Sequence, residues 1–156
     1  MKLSDMHIHT ASSPDAVLSA RELCKMAKTS NVNTLGFVAH LDLHPEDYCY
    51  NRFSEEEYLK ELDLAENSGI KVLRGLEIGE PHLYMKSAMS LFTREKYDFI
   101  IGALHWLGDK LIIDESAFTF DTKMDLVEEY YLVSIQKYPF LQIGQLDFPF
   151  VVKKCS

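Results

Sequence analysis

The chain has 156 residues, with 16 Lys and Arg against 24 Asp and Glu for a formal net charge of -8. That length suits one domain, residues 1–156, and argues against two; the negative balance argues against a nucleic-acid partner, whose phosphates such a surface repels. Hydrophobic residues at 47% and aromatics at 12% exclude the composition of a disordered chain.

In chain order, the first expected strand is Leu3 to His9. Ser19 followed by Glu22 reads as a capping box that opens a helix. A second strand runs from Thr34 to His40. Ser54 with Glu57 repeats the capping signal, and Tyr58, Leu59, Leu62 and Ala65 recur at helical spacing before Gly69, a left-handed terminator. The third strand spans Lys71 to Gly79, a further helix begins at Pro81, and Asp98 to His105 forms the fourth strand. A helix after Asp121 carries Met124, Leu126, Val127, Tyr130, Tyr131 and Val133 and closes at Tyr138-Pro139. Leu141 to Phe148 is the fifth strand.

This alternation predicts an α/β fold with a parallel sheet. The spacing of strand starts is that of a (β/α) barrel, where roughly 250 residues supply eight units, so this chain has room for about five. Length alone leaves two architectures open: an open doubly wound sheet, or an incomplete barrel with an unpaired edge. No apolar run approaches the ~18 residues of a membrane span, and the start carries no leader pattern, so the expected address is cytoplasmic, without a membrane partner. Cys24, Cys49 and Cys155 are odd in number and widely spaced, as expected of reduced thiols.

The ionisable residues fall at strand ends: His7 and His9 after the first, His40 after the second, Glu77 in the third, His105 after the fourth. Ligands and catalysts collect at the carboxyl edge of parallel sheets, because the loops there converge on one point. In Asp5-Met6-His7-Ile8-His9, strand alternation places Asp5, His7 and His9 on one face. Two adjacent imidazoles repel when protonated but become paired ligands for a divalent cation, and Asp5 is positioned to receive a ring N–H. Glu77 lies within an apolar strand, where a lone charge is costly and a cation is needed; taken alone, it reads equally as a strand-end carboxylate facing water or Arg74. A carboxylate there can bridge two ions roughly 3.5–4 Å apart.

Asp15, after Ser12-Ser13-Pro14, reads either as a turn residue before the helix or as an additional oxygen ligand. Glu80 reads as a helix-start residue beside Pro81, His44 and His82 as surface residues, and Glu55-Glu56-Glu57 as a solvated first turn. Tyr48, Tyr50, Phe53, Trp106, Phe118 and Phe120 are expected in packing, with lining of a pocket as the alternative; Arg52 and Lys110 follow strands two and four, where a phosphate could be met, but exposed basic residues have that appearance by default. The nucleophile elbow, the Walker A loop, the dinucleotide fingerprint and the H-E-x-x-H helix are absent from the sequence.

The series Asp5-x-His7-x-His9, His40, Gly75-Leu76-Glu77-Ile78 and Gly102-Ala103-Leu104-His105 resembles the polymerase and histidinol phosphatase (PHP) superfamily. Gly102 to Gly108 with Asp114, then Ile143 to Phe148, resembles its histidinol-phosphatase branch. The resemblance implies a distorted (β/α)7 barrel, here with about five units, and up to three divalent ions, zinc, manganese or iron, at its carboxyl face. His7, His9 and Glu77 would hold one ion, Glu77 and His105 a second, and Asp15 with His40 would serve a third. The implied activity is hydrolysis of a small phosphate monoester, L-histidinol phosphate, by metal-activated water, a step of histidine biosynthesis, with His7, His9, Glu77 and His105 acting through the metals. The chain departs from the family at Gly144-Gln145-Leu146-Asp147, where histidine usually precedes Leu-Asp, and in ending before the family's late Ser-Asp-Ala-His motif. The alternative is a shortened domain that binds metal without turnover, and an open strand edge is a route to homo-oligomers.

Overall fold

A computed structural model describes residues 3–112, 114, 120–140 and 142–143. Strands and helices alternate as β1 (Leu3–Ile8), α1 (Ala20–Thr29), β2 (Val32–Leu41), α2 (Glu55–Ala65), β3 (Lys71–Gly79), α3 (Pro81–Ala88) and β4 (Phe99–Ala103). A hairpin of β5 (Trp106–Leu107) and β6 (Lys110–Leu111), then α4 (Phe120–Lys137) and β7 (Gln142–Ile143), follow, and short 3-10 turns at Glu66–Ser68 and Arg94–Lys96 complete the described elements. Phe118, the remainder of the expected fifth strand with Gln145 and Asp147, and Cys155 lie outside the described residues.

The sheet order is β1-β2-β3-β4-β7, and every neighbouring pair is parallel. A doubly wound sheet reverses direction at a switch point and carries helices on both faces. Here the order is sequential. Ala20, Cys24 and Ala27 of α1, Tyr58, Leu62 and Ala65 of α2, and Met85 and Ala88 of α3 pack with Leu35, Phe37, Leu76, Ile78 and Ile100 in one core. A separate strand-only cluster joins Val38, Phe99 and Ile101 to Leu73. These residues alternate with the core-facing ones and so occupy the opposite face. Sequential parallel strands with helices on one side are the layout of a half-barrel, and the doubly wound alternative falls.

Local chemistry explains the helix positions. Ser19 Oγ accepts the Glu22 N–H at 3.4 Å and Glu22 Oε2 accepts the Ser19 N–H at 2.9 Å, a complete capping box. At α2 only half of the expected box forms: Ser54 accepts from Glu57 while Glu57 stays exposed. Neighbouring Glu55 instead takes the Thr93 N–H at 2.6 Å and Lys96 Nζ at 2.7 Å, so that turn is not merely solvated. The fully buried Tyr58 places its hydroxyl 2.8 Å from Phe37 O and 2.9 Å from Gly75 O, seating α2 across β2 and β3. Gly69, at φ 80°, ends the turn after α2 as expected. No helix among the described residues is long and apolar enough to cross a membrane.

Candidate metal centre

Each candidate residue reaches the centre from the carboxyl end of a strand or the loop beyond it. His40 on β2 pairs in register with Glu77 on β3; His9 follows the last residue of β1, and His105 stands two residues past β4. His7 is aimed by an irregularity. Asp5 pairs with Leu35 and Ile8 with Phe37, so Met6 and His7 share the place opposite Gly36, which is a β-bulge. A Cβ on Gly36 would lie 2.9 Å from both Cα and O of Met6, so the glycine admits the bulge. The bulge breaks the alternation expected from the sequence. Asp5 falls level with Leu35 and accepts the His7 backbone N–H at 3.2 Å, whereas the His9 ring meets Val38 O through Nδ1 at 3.0 Å.

Glu77 is the hub. Its carboxylate is wholly buried, with Oε2 3.0 Å from His7 Nε2 and 3.5 Å from His9 Nε2, and Oε1 3.3 Å from His105 Nε2. His40 adds Nδ1 at 4.0 Å from Glu77 Oε2, and its Nε2 is 3.4 Å from Asp15 Oδ2. The rings of His9 and His40 stack with centroids 4.4 Å apart, and those of His40 and His105 lie 5.4 Å apart. All six residues that the sequence nominates, His7, His9, Asp15, His40, Glu77 and His105, therefore come together, from four strand ends and one loop.

Burial alone would raise the Glu77 pKa, but hydrogen bonds to His105 and His7 and the nearby His40 hold it well below the usual carboxylate range. Burial likewise opposes charge on His105, yet Asp42 and Glu77 push its pKa up to about 11. His9 goes the other way, lowered by burial and by repulsion from His40. The carboxylates thus draw positive charge into a site sheltered from water.

The donor set suits a divalent cation. His7, His9 and Glu77 form one group, His9, Asp15 and His40 a second, and His40, Glu77 and His105 a third, each with one donor atom per residue within 4.8 Å of the others. Two donors about 2.1 Å from one ion can stand at most about 4.2 Å apart, so small rotations would bring each group into range. The polar accounting agrees. His40 Nδ1 and Asp42 Oδ2 are only 2.9 Å apart but off the line of a hydrogen bond, and both buried atoms lack a hydrogen-bond partner.

Three acidic residues that sequence reasoning does not place in the site prove to surround it. Asp42, 1% exposed, stands between the rings of His40 and His105, with Oδ1 3.0 Å from His105 Nδ1. The pattern His40-x-Asp42, two residues apart near the end of a strand, is the signal that could have found it. Glu80 is not an exposed helix-start residue. It is fully buried in left-handed backbone at φ 43°, a conformation that costs a non-glycine residue about 1–2 kcal/mol. Its Oε1 accepts the N–H groups of His105 at 2.6 Å and Trp106 at 2.9 Å, and this grip fixes the backbone that carries His105. Glu61 sits on the inward stripe of α2, three residues after Tyr58, and accepts from Thr10 Oγ1 at 3.0 Å, the Ala20 N–H at 2.7 Å and Ser12 Oγ. It ties down the loop that bears Asp15.

His44, expected on the surface, is 7% exposed. Its ring stacks on Trp106 at 4.5 Å, and Nε2 donates to Gly108 O at 2.8 Å while Nδ1 accepts the Glu46 N–H at 3.3 Å. A histidine with both nitrogens satisfied and one face on an indole can be buried cheaply. His82 is half-buried, its ring edge against Tyr130. Arg52 lies over the exposed Tyr48 ring at 5.0 Å, and Lys110 is exposed on β6.

Among known proteins, the chain is 24% identical over 127 residues to a probable histidinol-phosphatase of Clostridium acetobutylicum, covering 81% of this chain and 49% of that protein. It is 23% identical over 155 residues to the histidinol-phosphatase of Lactococcus lactis subsp. lactis, covering 95% of this chain and 58% of the relative. The crystal structure of histidinol phosphate phosphatase from Lactococcus lactis, complexed with zinc, L-histidinol and phosphate, superimposes with a TM-score of 0.76 at 23% identity, over 94% of this chain and 59% of that one. The fold is shared, and the chain spans about half to three-fifths of the length of these relatives. The PHP domain family matches residues 5–154, a stretch that takes in the bulged strand, the Glu77 hub and His105, and the chain belongs to that family.

Proposed function

We propose that this chain is a metal-dependent phosphoesterase of the histidinol-phosphatase type, acting on a small phosphate monoester, L-histidinol phosphate. One observation carries the reading: the wholly buried carboxylate of Glu77 faces His7 and His9 with one oxygen and His105 with the other, imidazoles that come from the ends of different strands. Such a hub is expensive as a bare charge and economical as a bridge between cations. The relatives named histidinol-phosphatase, and the zinc, L-histidinol and phosphate in the Lactococcus structure, support the substrate class.

In this reading His7, His9 and Glu77 would hold one ion, Glu77, His105 and His40 a second, and His9, Asp15 and His40 a third. Bound divalent ions supply Lewis acidity and a low-pKa water as nucleophile. The chain's own part is to hold donors in place. Glu77 presents one oxygen to His7 and the other to His105, the His9–Val38 contact fixes that ring, and buried Val38, Phe99 and Ile101 line the same face of the sheet. We read residues 1–156 as one domain with the first five units of a distorted (β/α)7 barrel, working in the cytoplasm in histidine biosynthesis. Zinc, manganese and iron all suit imidazole with carboxylate.

The test is phosphate release from L-histidinol phosphate by the purified chain supplied with zinc or manganese, with bound metal counted by elemental analysis. Turnover that disappears in His9→Ala is the expected result. Metal bound without phosphate release would instead favour a domain that binds metal without turnover, and absence of bound metal would end both readings.

A further inference from the structure

Asp42 is a charged residue with almost no access to water, and its position depends on a neighbour that has no side chain. A Cβ built on Gly79 would stand 2.0 Å from Asp42 Oδ1 and 3.3 Å from His105 Nδ1. Gly79 therefore empties the space in which Asp42 Oδ1 meets the His105 ring at 3.0 Å. The opposite nitrogen of that ring, Nε2, faces Glu77 Oε1 at 3.3 Å. An imidazole that gives its Nδ1–H to a carboxylate keeps the Nε2 lone pair free and aimed. The other oxygen, Oδ2, stands 2.9 Å from His40 Nδ1 as an ion pair, off the line of a hydrogen bond, so the one directed hydrogen bond of this carboxylate goes to His105. A buried carboxylate turned wholly toward imidazoles serves to hold those rings.

We propose that Asp42, seated in the space left by Gly79, is the positioning residue that fixes the tautomer and direction of His105 toward the Glu77 hub. Asp42 itself need not touch substrate. This inference rests on the metal reading above, and the experiment separates the two. The full chain and the variants Asp42→Ala, Asp42→Asn and Gly79→Ala are titrated with zinc, and the ring nitrogens of His105 are observed by 15N NMR in the zinc-loaded proteins.

In the parent chain His105 shows a proton on Nδ1. Asp42→Ala removes the acceptor, so that signal is lost or mixed with the other tautomer and zinc affinity falls roughly 10–100-fold, the usual cost of removing such a partner. Gly79→Ala produces the same pattern with every charged group still present, because its methyl displaces the carboxylate. Asp42→Asn keeps a carbonyl acceptor, restores the Nδ1–H signal and recovers most of the affinity, which a role in charge alone would not do. Should Asp42→Ala not fold, Gly79→Ala and Asp42→Asn carry the comparison. Parental zinc affinity with an unchanged His105 signal in the alanine variants overturns the inference while leaving the metal reading intact. A parent chain that takes up no zinc overturns both.

Discussion

Glu77 concentrates at one residue what the site requires, and its replacement is the sharpest probe at that scale. Glu77→Gln keeps the volume and removes the charge that His7, His9 and His105 surround. We expect the variant to fold and to lose at least one equivalent of zinc, read by elemental analysis after gel filtration; full retention would show that the ions sit elsewhere. A contrasting change is Ser19→Ala, which opens the capping box of α1. It should cost about 1 kcal/mol in denaturant unfolding and leave zinc content unchanged. Residues such as Glu77, His40 and His105 were legible in the sequence because each is a lone polar group in or just after an apolar run, which one dimension displays. Asp42 and Glu80 were not. Beyond its spacing from His40, Asp42 takes its meaning from Gly79 and His105, which are 37 and 63 positions away, and the two N–H groups that Glu80 binds are fixed by the fold and not by local spacing.

Among the elements, β1 departs furthest from what its sequence implies. Alternation correctly paired His7 with His9 but included Asp5, because a bulge leaves no mark in the hydrophobic pattern; the signal sits instead in Gly36 on the neighbouring strand. Gly36→Ala sets a methyl group 2.9 Å from backbone atoms of Met6, which cannot swing aside as a side chain can. The bulge must shift and carry His7 with it. The expected results are a loss of about 1–3 kcal/mol in stability, the usual cost of overpacking, and weaker zinc binding. A stability loss with zinc affinity intact would separate the bulge from the site. The link between α2 and the loop after β1 makes a parallel case. Glu61→Ala leaves Thr10, Ser12 and the Ala20 N–H without their shared acceptor, at about 1–3 kcal/mol. It should loosen the loop bearing Asp15, seen as faster amide exchange there, while α3 is unaffected. Helix starts were read well from the sequence since caps are local chemistry, whereas the choice between an open sheet and a half-barrel needed the strand order.

For the whole molecule, the site ties stability to pH in a direction that metal should reverse. His105 and His40 have folded pKa values above the ordinary 6.5: burial opposes their charge, but Asp42 and Glu77 outweigh it. Their contribution is fully present below pH 6.5 and is lost as pH rises through the folded values. Glu77 and Asp42 are depressed below their ordinary 4.5 and 3.8, burial being outweighed by His105 and the other imidazoles. Their contribution is present above those ordinary values and is lost as pH falls through the folded ones. His9, lowered by burial and by His40, favours higher pH and opposes the other two histidines. With two imidazoles against one, the metal-free chain should be most stable near pH 5–6 and weaken toward pH 9. Zinc requires neutral imidazoles and releases protons as it binds, so its affinity rises over the same interval. The increase in Tm on adding zinc should therefore grow from pH 6 to pH 8.5, measured by thermal melts with chelator or with excess zinc. A metal-free Tm that climbs toward pH 9 would mean that Asp42 and Glu77 do not hold these rings protonated. A zinc shift independent of pH would place the ion on carboxylates outside the histidine cluster.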